Sequence, residues 1–276
     1  MRIDSHHHLW QFEPRDLPWI SDVMPVLRRD YLPVDLEPCL RASHIDGTVA
    51  VQAQQTMAET EWLLRVAREH AFIHGVVGWV PLGDPGVDVH LERLATDSHL
   101  KGIRHIVHDE PDDAFILGEA FNQGIARLER YRLVYDVLVF ARHLPQAIQF
   151  VDRHTRQPFV VDHIAKPVIA TGRFDAEWAR LFRALAERPH VSCKLSGVVT
   201  EVRDPQWSLE GIRPYVDVAL EAFGPDRLMF GTDWPVCRLR CEYATWVEAV
   251  AELIAPLSAP ERAAIWGGTA TRVYGL

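Results

Sequence analysis

The sequence predicts a single-domain α/β protein, a (β/α)8 (TIM) barrel spanning residues 1–276. Three observations carry that expectation. Eight apolar runs, centred near residues 2, 49, 76, 103, 135, 160, 192 and 229, alternate with helical patterns. Strands that alternate with helices pair in parallel through crossovers, and eight such units in about 250 residues match a closed barrel. The Gly-rich first turn common in doubly wound sheets is absent, and no Pro/Gly/Ser linker divides the chain.

In order, Arg2–Ile3–Asp4 runs as a strand into Ser5 and three histidines, His6, His7 and His8. Gln11 to Asp30 carries three prolines and no helical period, a loop long enough to form part of a site. Pro33 suits the first turn of a helix that buries Leu36 and Leu40. The Val-rich Gly47–Ala53 is the second strand, and Met57 to His70 a helix with Trp62, Leu63, Val66 and Ala67 on one side. Phe72–Val80 and Lys101–Val107 are strands flanking a short helix from Pro85 to Thr96. Phe115 to Tyr131 is helical, Leu133–Val139 a strand, and Leu144, Ala147, Ile148 and Val151 mark the next helix. Pro158–Ile164 is the sixth strand, and Asp175 caps a helix that buries Trp178, Leu181, Phe182 and Leu185. His190–Leu195 and Arg227–Thr232 are the last strands, with a helix from Tyr215 to Phe223 between them. Tyr243 to Tyr274 reads as helix broken at Pro256, Pro260 and Gly267–Gly268.

A net charge of −9 argues against a nucleic-acid partner, which needs a basic face. No apolar run approaches 18 residues, so no membrane span is expected. The N-terminus lacks a signal pattern, and Cys39, Cys193, Cys237 and Cys241 form no C-x-x-C, so free thiols in a cytoplasmic protein are expected. Oligomeric state is left open.

Barrel chemistry sits at the C-terminal ends of the strands, and the polar residues cluster there. They are His6 and His8 on the first strand, Gln52 and Gln54 on the second, and Trp79 on the third. The fourth carries Arg104, His105 and His108, the fifth Asp136 and the sixth Asp162–His163. The seventh holds Lys194 and ends at Ser196, and the eighth ends in Thr232–Asp233–Trp234. Side chains alternate along a strand. His6 and His8 therefore share a face, where two imidazoles suit one divalent ion, and His7 points away. Three histidines running without a linker into Leu9–Trp10 are no purification tag. By the same alternation only one of Arg104 and His105 faces inward, and Asp162 and His163 face opposite ways. Lys194 in an apolar strand needs a charge partner or a polar ligand.

This pattern resembles the amidohydrolase superfamily: an H-x-H on the first strand, a His on a later one and an Asp closing the eighth. Lys101–Asp112 (KGIRHIVHDEPD), Asp162–Pro167 (DHIAKP), Lys194–Gly197 (KLSG) and Phe230–Pro235 (FGTDWP) resemble the sugar lactonases of its amidohydrolase-2 branch. The likeness runs from Ile3 to the GGTATRVYGL ending. It implies His6, His8, His163 and Asp233 as metal-ligand positions. Two-metal members bridge their ions with a modified Lys or an acid near the end of strand four. Here Lys101 starts that strand, Val107–His108 lies at its far end, and Asp136 stands where many relatives have a His. One Zn²⁺ or none is therefore expected.

The resemblance implies opening of a sugar-acid lactone, L-fucono-1,5-lactone or a similar L-sugar lactone, to the aldonate. Asp233 is expected to move the proton of water to the leaving oxygen, with His163 and Lys194 as further catalytic groups. Arg104, His105, His108, Asp136, Trp79 and Trp234 are expected to bind substrate, the tryptophans covering the sugar face. The alternatives are a metal-dependent decarboxylase of the same branch, which must clamp a carboxylate, and a non-catalytic binding barrel.

Overall fold

The computed structural model describes residues 1–276. Eight parallel strands form one sheet in sequential order: β1 (Ile3–His7), β2 (Gly47–Val51), β3 (Ile73–Gly78), β4 (Leu100–His105), β5 (Val134–Val137), β6 (Phe159–Val161), β7 (Val191–Leu195) and β8 (Leu228–Phe230). The sheet curls until β8 meets β1. Across that seam Asp233 N donates to His6 O (2.8 Å), His8 N to Trp234 O (2.6 Å) and Ser5 Oγ to Phe230 O (2.6 Å). These bonds hold the ends of both strands where the candidate ligands lie.

Helices α1 (Pro33–Ala42) to α7 (Leu209–Phe223) cover the outside: α2 (Met57–Glu69), α3 (Val87–Leu94), α4 (Glu119–Leu128), α5 (Leu144–Arg153) and α6 (Ala176–Ala186) lie between them in sequence. Their starts follow local chemistry. Trp178 N donates to Asp175 Oδ1 (3.0 Å), and Gly211 N to Ser208 Oγ (3.1 Å), satisfying first-turn donors. The apolar stripe of each helix packs on the outer faces of the strands, where Tyr135, Phe150, Phe159, Trp178 and Phe182 are fully buried. A second, smaller cluster fills the barrel interior at its N-terminal end: Ile3, Val49, Val51, Val77, Val134, Val160 and Met229. The site can therefore form only above this plug. No helix is long and apolar enough to cross a membrane.

One departure from the sequence reading matters. The strands do not pass directly into helices: 3-10 turns follow at Val107–Asp109, Ala141–His143, Asp162–Ala165, Val198–Glu201 and Val236–Leu239, and these turns build the upper walls. The C-terminal segment does break at Gly267, whose φ of 179° and ψ of −26° are not helical. After α8 (Tyr243–Leu253) and α9 (Ala259–Ala263), a π turn at Ala264–Gly268 carries the chain into α10 (Thr269–Tyr274). Pro260 lies in the first turn of α9, where its missing N–H is harmless.

Candidate active site

Alternation along β1 brings His6 and His8 to the barrel interior. A register shift between Asp4 and His7 marks a bulge, which lets Ile3 join the interior plug while His6 and His8 still point inward. Asp4 points the other way and ties the seam, accepting from Thr232 N (2.9 Å), Thr232 Oγ1 (2.6 Å) and Tyr243 Oη (3.0 Å).

His6 Nε2 and His8 Nε2 are 3.2 Å apart, and Asp233 Oδ1 lies 3.7 and 3.3 Å from them. The other ring nitrogens decide what these atoms carry. His8 Nδ1 faces Val51 O at 2.8 Å, and a carbonyl can only accept, so the proton is on Nδ1. His6 Nδ1 lies 3.1 Å from Lys194 Nζ and 3.3 Å from Asp162 Oδ1, while Arg104 Nη1, which can only donate, lies 3.3 Å from His6 Nε2, so that nitrogen presents its lone pair. Burial and Lys194 hold the pKa of His6 well below the usual histidine range. Burial pushes the Asp233 carboxyl up, but His163, His8 and His6 around it override this and leave it well below the usual carboxylate range. Two bare imidazole lone pairs and a carboxylate oxygen thus converge on one point, an arrangement that repels unless a cation occupies it. Zinc–nitrogen bonds of about 2.0–2.1 Å in a tetrahedron place ligand atoms roughly 3.3–3.4 Å apart. The three atoms fit a single divalent ion.

His163 stands beside this trio, its Nε2 3.9 Å from Asp233 Oδ1 and its Nδ1 2.8 Å from Ser196 Oγ. Burial holds its pKa near 4, so the ring is neutral. Its placement is not that of a strand residue. β6 ends at Val161, and His163, Ile164, Ala165 and Lys166 all take left-handed φ values of 47–58°. Such residues cost about 1–2 kcal/mol each. Burial of Ile164 and Ala165 and a bond from Trp178 Nε1 to Ile164 O (2.8 Å) offset this. Gly197 makes room: it is itself left-handed (φ 62°), and a Cβ there would lie 2.5 Å from His163 Nδ1.

Below the trio lies a fully buried ionic layer. Lys194 Nζ donates to Asp136 Oδ2 (2.5 Å) and pairs by charge with Asp162, its Nζ 3.1 Å from Oδ1, and Arg104 Nη1 donates to Asp162 Oδ2 (2.9 Å). Arg104 also donates to Gln52 O, and its Nη1 lies 3.3 Å from His6 Nε2. Lys194, His6 and Arg104 outweigh burial and keep Asp162 ionised. Burial raises Asp136 to about 6. Above the trio opens a cavity of about 360 Å³ lined by His8, Arg104, His108, His163, Lys166 and Asp233 on its polar side. Trp19, Met24, Phe140, Val236 and Leu239 form an apolar side.

A family model described as Amidohydrolase matches residues 3–276. The chain belongs to the amidohydrolase family. A relative from Burkholderia multivorans named L-fucono-1,5-lactonase is 45% identical over 100% of this chain and 96% of its own. One of the same name from Burkholderia ambifaria is 38% identical over 99% and 95%. A crystal structure of a Burkholderia multivorans amidohydrolase with bound zinc is 44% identical over 100% and 99%, with a TM-score of 0.95.

Within this amidohydrolase, His6, His8, His163, Asp233, Arg104 and His108 meet at the cavity floor and wall. Five expected site residues lie elsewhere. Lys194 and Asp136 are sealed in the ionic layer, with no exposure to the cavity. His105, on the outer face of β4, bonds Glu110 Oε1 (2.6 Å) and Trp79 Nε1 (3.2 Å) and stacks on Phe115. That removes Trp79 as well, and Trp234 is buried against Tyr31. The cavity tryptophan is Trp19, from the long Gln11–Asp30 loop, with its Nε1 donating to Ala53 O (3.2 Å). Asp162 and His163 do not point opposite ways, because the left-handed turn ends strand alternation between them. Lys166, Glu201 and Arg203 also reach the cavity. Their only sequence signal was the DHIAKP phrase, which holds Lys166.

His108, stacked on Phe140 at 4.4 Å, offers a test. Burial, then Lys166 and Arg104, push its pKa down to about 2. The folded ring stays neutral while the unfolded chain takes a proton below about pH 6.5. His108 therefore contributes stability above pH 6.5 that is lost as pH falls, by about 1.4 kcal/mol per pH unit. We expect His108→Gln to flatten the fall in unfolding midpoint between pH 7 and 5. An unchanged slope would show that His108 does not stay neutral in the fold.

Proposed function

We propose that this chain is a lactonase that opens a sugar-acid 1,5-lactone of the L-fucono type to its aldonate, in sugar breakdown. The observation that carries the reading is the convergence of His6, His8 and Asp233 beneath a cavity with one polar and one apolar wall. The relatives named L-fucono-1,5-lactonase support the substrate class. One Zn²⁺ on His6, His8 and Asp233 fits the donor set; when bound, it polarises the carbonyl and acidifies water.

The chain's own groups do the rest. Asp233 takes the proton of the attacking water and returns one to the ring oxygen as the acyl C–O bond breaks. Arg104, whose Nη1 is 3.3 Å from His6 Nε2, places a fixed positive charge where the carbonyl oxygen becomes negative. Neutral His163 contacts the same reacting oxygens. His108 Nδ1, buried without a partner, is available to a ring hydroxyl. Trp19, Met24, Val236 and Leu239 receive the C–H face of the sugar. Released aldonic acid ionises, and the proton goes to solvent.

The buried charges favour a neutral polyol over a carboxylated substrate. Arg104 is paired with Asp162, Lys166 with Glu201 (2.7 Å), and Lys194 with both Asp136 and Asp162. Beyond Arg104, which faces the developing oxyanion, no buried cation is left over to clamp a carboxylate, as a decarboxylase requires.

The test is a panel of aldono-1,4- and aldono-1,5-lactones followed by proton release, before and after chelation and zinc reloading. We expect turnover of 6-deoxy-L-sugar 1,5-lactones that chelation abolishes and zinc restores. Proton release from no lactone, or CO₂ release from a carboxylated substrate, would sink the reading. Full turnover after verified metal removal would reduce His6 and His8 to hydrogen-bonding walls.

A further inference from the structure

The GGTATRVYGL ending has no part in the chemistry above, yet it reaches the active centre from the opposite end of the barrel. The π turn and α10 close the N-terminal mouth. Gly267 lies so near the first strand that a Cβ there would come 2.4 Å from Met1 O. Lys101 Nζ, at the start of β4, donates to Gly275 O (2.8 Å), anchoring the last turn. Ala270 and Tyr274 complete the apolar plug inside the barrel. From there the Tyr274 hydroxyl points up through the plug to Asp136, 2.8 Å from Oδ1 and 2.9 Å from Oδ2.

Asp136 has two partners, Tyr274 and Lys194. Lys194 Nζ in turn lies 3.1 Å from both Asp162 Oδ1 and His6 Nδ1, and 5.6 Å above the Tyr274 ring. A polar column thus runs from the C-terminal helix to the ring of His6: Tyr274, Asp136, Lys194, then Asp162 and His6. Each link is buried, so water cannot replace a lost partner. Asp136 and Asp162 compete for one ammonium. The Tyr274 hydroxyl satisfies Asp136, which leaves Lys194 shared with Asp162 and His6, and its ammonium, 3.1 Å from His6 Nδ1, orients the ring.

We propose that Tyr274 is a positioning residue of the active centre, setting His6 through Asp136 and Lys194. Without its hydroxyl, Asp136 Oδ1 has no donor and Lys194 is drawn towards Asp136, away from Asp162 and His6.

The inference rests on the lactonase reading and on His6 as a zinc ligand, and the experiment separates them. In the full chain, Tyr274→Phe keeps the ring, its packing and its face towards Lys194, and removes only the hydroxyl. Val273→Ala perturbs packing against the same plug without touching the column. For each variant, kcat and KM on the best lactone of the panel, zinc retained against a graded chelator series, and unfolding midpoint are measured. Removing outer-shell partners of a metal ligand weakens metal binding or activity about 10–100-fold. We expect Tyr274→Phe at the lower end, about tenfold in both kcat and zinc retention, with KM within about twofold. Val273→Ala should lower the unfolding midpoint and leave kcat and zinc retention as in the wild type. Wild-type kcat and zinc retention in Tyr274→Phe would overturn the proposal. Equal losses in Val273→Ala would overturn it too, by showing a general packing effect. If the wild-type chain turned over no lactone, the assigned reaction would fail, and zinc retention alone would decide the role of Tyr274.

Discussion

Asp233→Asn should lower kcat by about 10²–10⁴, the contribution of a positioned acid–base group, with KM nearly unchanged. The substitution isolates chemistry from folding. Asp233 sits at a left-handed φ of 59°, which Asn tolerates better than most residues. Its backbone N–H still donates to His6 O, so the β8–β1 seam survives. What is lost is the anion. The amide cannot accept a proton from water, and it neutralises less of a bound cation. Zinc content should be measured alongside kcat to apportion the loss between base and ligand. Turnover near wild type at full zinc content would remove Asp233 from the mechanism.

The largest stability effect belongs to Lys194→Met. Lys194 is fully buried between Asp136 and Asp162. Methionine fills a similar volume but leaves two buried carboxylates with Tyr274, His6 and Arg104 as their remaining donors. Removing one partner of a buried ion pair destabilises by about 3–5 kcal/mol. We expect a loss of this size in urea unfolding, together with loss of zinc. Adding Asp136→Asn should recover part of the stability, because the amide carries no charge to compensate and still accepts from Tyr274. A single variant as stable as wild type, or a double variant less stable than the single, would contradict the picture of a charge-balanced layer.

Much of the architecture was legible because its signals are local. The eight apolar runs are the observed strands, and Asp175 is the cap it was expected to be. Period-2 alternation placed His6 and His8 on one face and allowed only one of Arg104 and His105 inside. The structure selects Arg104, because its guanidinium finds Asp162 across the interior. The phrases around His163 and Asp233 pointed to the right strand ends.

Other residues were misplaced because depth along the barrel axis is not a local property. Lys194 pairs in register with Met229, an interior-plug residue four positions before Asp233. Asp136 pairs with Val160 in the same plug. Both face inward as alternation requires, but below the layer that substrate can reach. Trp79 and Trp234 were expected over the sugar because they close strands. Each is instead turned out to a partner, His105 or Tyr31. Trp19 lies far from any strand end, in a loop whose path depends on what it packs against.

By itself the sequence determined the strand count, the shared face of His6 and His8 and the family. These follow from periodicity and from short-range phrases. Only the tertiary structure decided which inward-facing groups meet at one point. It set the barrel stagger that buries Lys194 and Asp136 beneath His6, and the left-handed turn that brings His163 and Lys166 to the cavity. It also brought Tyr274, 138 residues from Asp136 along the chain, into contact with it. Such contacts are made between strands and termini remote in sequence, where no local pattern can encode depth or partner.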